Sequence, residues 1–138
     1  TPTAAYALFY NNSATGATYA AGENIAYQST LYNTATADIV NNNGLITLSG
    51  GTTGKAYLVN YQVTGETAND ATLALAINGT VDSNSEIIPN SATGTSNGSY
   101  IVNVPANSTS TVALRVVSGT VTTASPTVGS YFSVIRIA

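Results

Sequence analysis

The chain has 138 residues, no Cys, His, Met or Trp, three basic and six acidic residues, and a net charge of −3. Charged residues make up 7 %, against about 25 % in ordinary soluble domains, and three cations cannot form the basic stripe that displaces counterions from nucleic acid. Without Cys or His there is no disulfide framework, thiolate nucleophile or zinc cage, and no apolar run approaches the roughly 20 residues of a spanning helix, so neither nucleic-acid binding nor membrane insertion is expected.

The length suits one domain over residues 1–138, whose folding would bury roughly two-thirds of the extended chain's surface. It opens Thr1-Pro2-Thr3, with neither initiator Met nor signal segment, as expected of a mature or excised domain. Val, Ile, Thr and Tyr dominate the apolar runs, the set that fits a pleated, half-buried surface. The polar surface falls to 15 Asn and 36 Ser or Thr. An all-β domain follows. In chain order the pattern predicts strands at Ala4–Tyr10, Asn24–Gln28 and Leu45–Leu48, then at Lys55–Thr64, where Tyr57, Val59, Tyr61 and Val63 share one face. Leu73, Leu75 and Ile77 line the next strand, which ends at Asn78-Gly79, and Val81 and Ile87-Ile88 continue the return. Tyr100–Val104 stops at Pro105, which cannot donate to a ladder; Val112, Leu114 and Val116 alternate after it, and Ser130–Ile137 closes the chain. Turn signals at Asn11-Asn12-Ser13, Asn42-Asn43-Gly44, Gly50-Gly51, Asn97-Gly98, Ala106-Asn107-Ser108 and Ser118-Gly119 separate these runs. About eight to ten short strands read as a sandwich or barrel.

The first and last strands are apolar on both faces. Tyr6, Leu8 and Tyr10 lie on one side of the first, and Ala5, Ala7 and Phe9 on the other; the last carries Phe132 and Val134 against Ile135 and Ile137. A sandwich strand ordinarily leaves one face to water, and no amphipathic helix is present to cover a second one. A further copy of the chain is the economical cover, so a homo-oligomer built on the terminal strands is expected, with its interface at Tyr6, Leu8, Phe9, Tyr10, Tyr131, Ile135 and Arg136. Arg136 shares its face with Phe132 and Val134, which predicts an acidic partner, across a subunit boundary if that face is covered by another copy.

Three segments carry a family resemblance. Gly54-Lys55-Ala56-Tyr57-Leu58-Val59-Asn60-Tyr61-Gln62-Val63 resembles the central strand of the C1q/TNF-like jelly roll, with its Gly-x-Tyr-x-Phe/Val-x-Tyr rhythm. Leu73-Ala74-Leu75-Ala76-Ile77-Asn78-Gly79 is similar to that superfamily's next hairpin, and Gly129-Ser130-Tyr131-Phe132-Ser133-Val134-Ile135-Arg136-Ile137 to its closing strand, although Val134 stands where Gly is frequent. With the aromatic opening strand, the resemblance covers nearly the whole chain. Low charge, Ala/Thr/Asn richness and missing Cys look most like the C-terminal domains of bacterial collagen-like exosporium glycoproteins of the BclA type. The resemblance implies a two-sheet antiparallel jelly-roll sandwich, a homotrimer with both termini near one end, and a preceding Gly-X-Y stalk. It also implies a non-catalytic role on the spore surface: assembly of the surface layer and contact with host proteins or glycans.

Catalytic and metal chemistry find little footing. Without His, a Ser or Thr nucleophile would need Lys55 or a carboxylate as base. Carboxylate pairs can be drawn from Glu66 and Asp70, or from Asp82 and Glu86, but they fall in Asn/Ser/Thr-rich stretches where acids are solvated. Asp82-Ser83-Asn84-Ser85-Glu86 begins like a calcium loop, yet Ile87 replaces the Gly of the sixth position and no bidentate Glu follows. Asn11, Asn78, Asn97 and Asn107 precede x-Ser/Thr, as many as this composition yields by chance. No catalytic, cofactor-binding or metal-ligating residue is therefore assigned. Of the nine Tyr, Tyr57 and Tyr61 read as core, and Tyr19, Tyr27 and Tyr32 as the ones able to face a ligand. A TNF-like carbohydrate-binding lectin domain is the alternative reading.

Overall fold

The alternation at residues 55–64 places Tyr57, Val59, Tyr61 and Val63 on a buried face and leaves Leu58, Asn60 and Gln62 half-buried on the other. The computed structural model describes residues 4–12, 17–88, 95–123 and 130–138, with 65–70 as backbone only. Its strands are β1 (Tyr6–Tyr10), β2 (Thr18–Ala20), β3 (Ser29–Asn33), β4 (Ile39–Asn42), β5 (Leu45–Ser49), β6 (Lys55–Ile77), β7 (Thr80–Val81), β8 (Thr95–Val104), β9 (Thr109–Thr123) and β10 (Tyr131–Arg136), with a 3-10 turn at Ser83–Ser85.

All described pairings are antiparallel, and they form two sheets joined through β6. The first half of β6 pairs with β10 and β8, giving the order β3-β1-β10-β6-β8. Its second half pairs with β9 and β7, giving β4-β5-β9-β6-β7 with β2 alongside β9. Register shifts between Gly65 and Thr67 and around Thr72 mark where the strand bends from one sheet into the other, as bulges do.

The core lies between the sheets. Phe9, Phe132, Val134, Tyr57 and Val59 face Ile46, Leu48, Leu73, Leu75 and Leu114 across it, all buried. Burying a phenol without a partner is costly, and each large buried Tyr has one. The hydroxyls of Tyr27, Tyr57 and Tyr61 donate to the carbonyls of Gln62, Ser49 and Ser85 at 3.0, 2.6 and 2.7 Å. On the outer side of the second sheet Arg115 donates to Asn24 Oδ1 and to the Gly79 carbonyl.

Several local expectations are corrected. Residues 24–28 form no strand: Asn24 makes an isolated bridge to Arg115, and Ile25 N donates to the Leu114 carbonyl. Strands β2, β3 and β4 were not foreseen, because β2 is three residues long and β3 is an edge strand with little burial on either face. Residues 65–72, which read as a loop, continue β6. Asn97-Gly98 is no turn but the interior of β8, where the Tyr61 ring covers Gly98 so closely that a Cβ would lie 2.7 Å from it.

Candidate functional site

The side of the first sheet that faces away from the core is unusually ordered in its chemistry. Strand registers set its side chains in transverse rows, because residues two apart on one strand share a face. Tyr6, Ile135, Leu58 and Ile101 are direct neighbours across β1, β10, β6 and β8 and make an apolar row. The next row is Leu8, Ser133, Asn60 and Ser99. In the third, Tyr10 and Tyr131 pair, followed by Gln62 and Asn97. Tyr6, Ile135 and Ile101 are 41 %, 42 % and 53 % exposed. Tyr32 of β3 stacks edge-on against Tyr6 with ring centroids 5.6 Å apart. A depression of about 490 Å³ lies over the second and third rows.

Of the seven residues expected at an interface, Tyr6, Leu8, Tyr10, Tyr131 and Ile135 lie on this face. Two do not. Phe9 is 1 % exposed and points into the protomer's own core, as strand alternation requires once Tyr6 and Leu8 face out. Arg136 also lies on the inward side, at the end of the sandwich, and its acid belongs to the same chain: its guanidinium is 3.7 Å from Asp38 Oδ2, which accepts from Lys55 Nζ at 2.8 Å. The expected carboxylate partner is present, and it is not across a subunit boundary. Leu58, Asn60 and Ile101 complete the rows and were missed. Leu58 offered a signal, an aliphatic on the otherwise polar face of its strand.

The tyrosines expected to face a ligand divide. Tyr19 and Tyr27 are buried, and only Tyr32 is exposed. Burial raises the Tyr61 phenol and raises that of Tyr27 well above its ordinary value, and it pushes Tyr57 up to about 12 with the nearby Asp38 charge adding to it.

The Asp82–Glu86 segment is occupied with its own turn. Asp82 Oδ1 accepts from Asn84 N at 2.9 Å, Oδ2 accepts from the Tyr100 hydroxyl at 2.5 Å, and Ser85 Oγ accepts from Leu75 N while donating to the Asp82 carbonyl. The Tyr100 bond holds the Asp82 carboxyl below its usual range, and the backbone bond from Asn84 adds to this. Glu66 and Asp70 have side chains outside the described residues. Among the described residues no three His, Cys, Asp or Glu side chains are grouped as a metal site would need, and no helix is long and apolar enough to cross a membrane.

No family model and no curated protein sequence matches the chain. Solved structures do. A structure of Eiger TNF from S. frugiperda is similar at TM-score 0.69 and 12 % identity, covering 99 % of this chain and 94 % of that one. Murine APRIL is similar at TM-score 0.73 and 8 % identity over 98 % and 100 %. The globular domain of zebrafish complement 1qA protein is similar at 0.51 and 13 % over 98 % and 94 %. The fold is the C1q/TNF-like jelly roll, two antiparallel sheets closed over one core.

Proposed function

We propose that the chain is a non-catalytic, trimerising head domain of a bacterial collagen-like spore-surface (exosporium filament) glycoprotein. It works outside the cell, in assembly of the surface layer and contact with host or other surfaces. The observation that carries the self-association is the apolar row Tyr6–Ile135–Leu58–Ile101 on the open side of the first sheet. A contiguous exposed apolar patch on a folded chain marks an interaction site. Each of these side chains is already partly buried, so full coverage stabilises by about 1 kcal/mol apiece. Three protomers then give on the order of 10 kcal/mol, against about 4–15 kcal/mol for each of the two associations that make a trimer. The row therefore centres the contact, and the flanking Tyr32 and Ile137, both exposed, add to it. The spore-surface setting rests on the uncharged Asn/Thr/Ser surface and on the resemblance to BclA-type domains; a Gly-X-Y run before Thr1 in the full-length protein is its direct expectation.

Light scattering at micromolar concentration tests the assembly. The expected mass is about 42 kDa, three times the 14.0 kDa chain. Ile135→Asp, which places a charge on the row without touching the core, is expected to yield a folded particle of one chain's mass. A wild-type protein that is monomeric and melts cooperatively would remove the physical basis of the proposal.

A further inference from the structure

We infer that Asn78 is a site of spontaneous self-modification, at which attack by the Gly79 backbone nitrogen turns the side-chain amide into a carboxylate within the β6–β7 turn. Asn is thermally labile, most of all before Gly, whose missing side chain leaves its nitrogen open to close approach. The chain has three such pairs, Asn43-Gly44, Asn78-Gly79 and Asn97-Gly98. Their surroundings rank them.

Ring closure needs a Gly nitrogen free to lose its proton and a backbone able to swing that nitrogen toward the Asn side-chain carbon. Two pairs each fail one requirement. Gly44 is buried, and its N–H donates to Asn41 Oδ1 at 2.8 Å, a bond that must be given up first. Asn97 and Gly98 lie inside β8, in register with Gln62 and Tyr61, and the Tyr61 ring covers Gly98; the ladder holds that backbone extended. Asn78-Gly79 meets both requirements. Both residues are exposed, no group among the described residues accepts from Gly79 N, and nothing lies within 4 Å of a Cβ built on Gly79. The turn is held on its far side only by β7, two residues long, so it opens at little cost. Thr111 N donates to Asn78 Oδ1 at 2.9 Å, which places a donor on the oxygen where negative charge develops during attack.

The balance of the step is simple. Gly79 N gives its proton to water or hydroxide and bonds to Asn78 Cγ; the Cγ–Nδ2 bond breaks and ammonia leaves. Water then opens the cyclic imide at either carbonyl, giving aspartate or isoaspartate. No oxidant or cofactor takes part. Each event adds one negative charge to a chain whose net charge is −3. The new carboxylate forms one residue from the Gly79 carbonyl, to which Arg115 donates at 3.2 Å. Among the described residues no carboxylate lies within ion-pair distance of Arg115, so the product meets a cation that has no acid, and the opposite charges attract. An aspartate there still accepts from Thr111 N. The turn belongs to the second sheet, so the modification does not depend on the trimer.

Ageing of the full chain in mildly alkaline buffer, followed by chymotryptic peptide mapping in a mass spectrometer, tests the site, with a urea-unfolded sample as control. In the folded chain Asn78 is expected to convert about fivefold or more faster than Asn43 and Asn97, while in urea the three convert at similar rates. Asn78→Gln, whose longer side chain closes a ring far more slowly, should remove most of the acidic form that builds up on ion exchange. Conversion of Asn43 or Asn97 as fast as Asn78 in the folded chain overturns the inference. So does an Asn78 that converts in urea but not in the folded chain, because the Thr111 contact then protects the amide instead of activating it. Particle mass enters neither result, so the trimer stands or falls separately.

Discussion

Asp38 is the acid on which two of the three cations converge. Its Oδ2 lies 2.8 Å from Lys55 and 3.7 Å from Arg136, and all three side chains are largely buried, between 18 % and 25 % exposed. The two cations would repel across a partly dry end of the sandwich if the acid were lost, and breaking a buried pair from one side leaves an uncompensated charge. Asp38→Asn is therefore expected to cost about 2 kcal/mol in urea unfolding. A double-mutant cycle should give a larger coupling to Lys55 than to Arg136, as the distances order them. Zero coupling to both would show that solvent screens the cluster completely.

At the scale of elements, turns fix which residues face which way. The β4–β5 hairpin closes on Asn43 and Gly44 at φ of +50° and +96°, and a Cβ on Gly44 would lie 2.3 Å from the Ile25 carbonyl oxygen. Asn78-Gly79 turns β6 into β7 with similar dihedrals, but nothing lies within 4 Å of a Cβ at Gly79. Both Gly→Ala changes meet the left-handed penalty of about 1–2 kcal/mol; only Gly44→Ala also meets backbone. Gly44→Ala is thus expected to lower the urea midpoint clearly more than Gly79→Ala. Equal shifts would mean that the segment carrying Ile25 yields freely. Strand β6 makes the complementary point: Gly, Glu, Asn and Asp at residues 65–70 are poor strand formers, and pairing with β9 overrides their propensity.

For the whole molecule, charge scarcity sets the response to solvent. With no His, no side chain of ordinary pKa titrates between about pH 5 and 8, and few ion pairs exist for salt to screen. The raised phenols define the alkaline limit. A folded pKa above the unfolded one gives stability that is complete below about pH 10 and is lost as pH rises, for Tyr57 through about 12. On the acid side Asp82 has the opposite sign: its contribution is full above its ordinary value of 3.8 and fades as pH falls through its lowered one. A flat melting temperature from pH 5 to 8 is expected, followed by alkaline unfolding in which tyrosinate absorbance and loss of sheet circular dichroism coincide. A strong slope between pH 5 and 8 would contradict this account.

The strand-rich class, the inward alternation on β6 and β9, and the core role of Tyr57 and Tyr61 were legible in the amino-acid order, whereas the outward face of the first and last strands was not, since Phe9 and Arg136 were expected beside Tyr6, Leu8, Tyr131 and Ile135. Period-two alternation records, along one strand, which side meets apolar neighbours. The same record could not place Arg136 against Asp38, some hundred residues earlier, or turn Tyr19 and Tyr27 from ligand candidates into core. Nor could it align Tyr6, Ile135, Leu58 and Ile101 into one row beside an amide-lined depression. Those arrangements depend on which strand lies next to which and in what register, and register is decided by long-range pairing between segments far apart in the chain, which no local pattern contains.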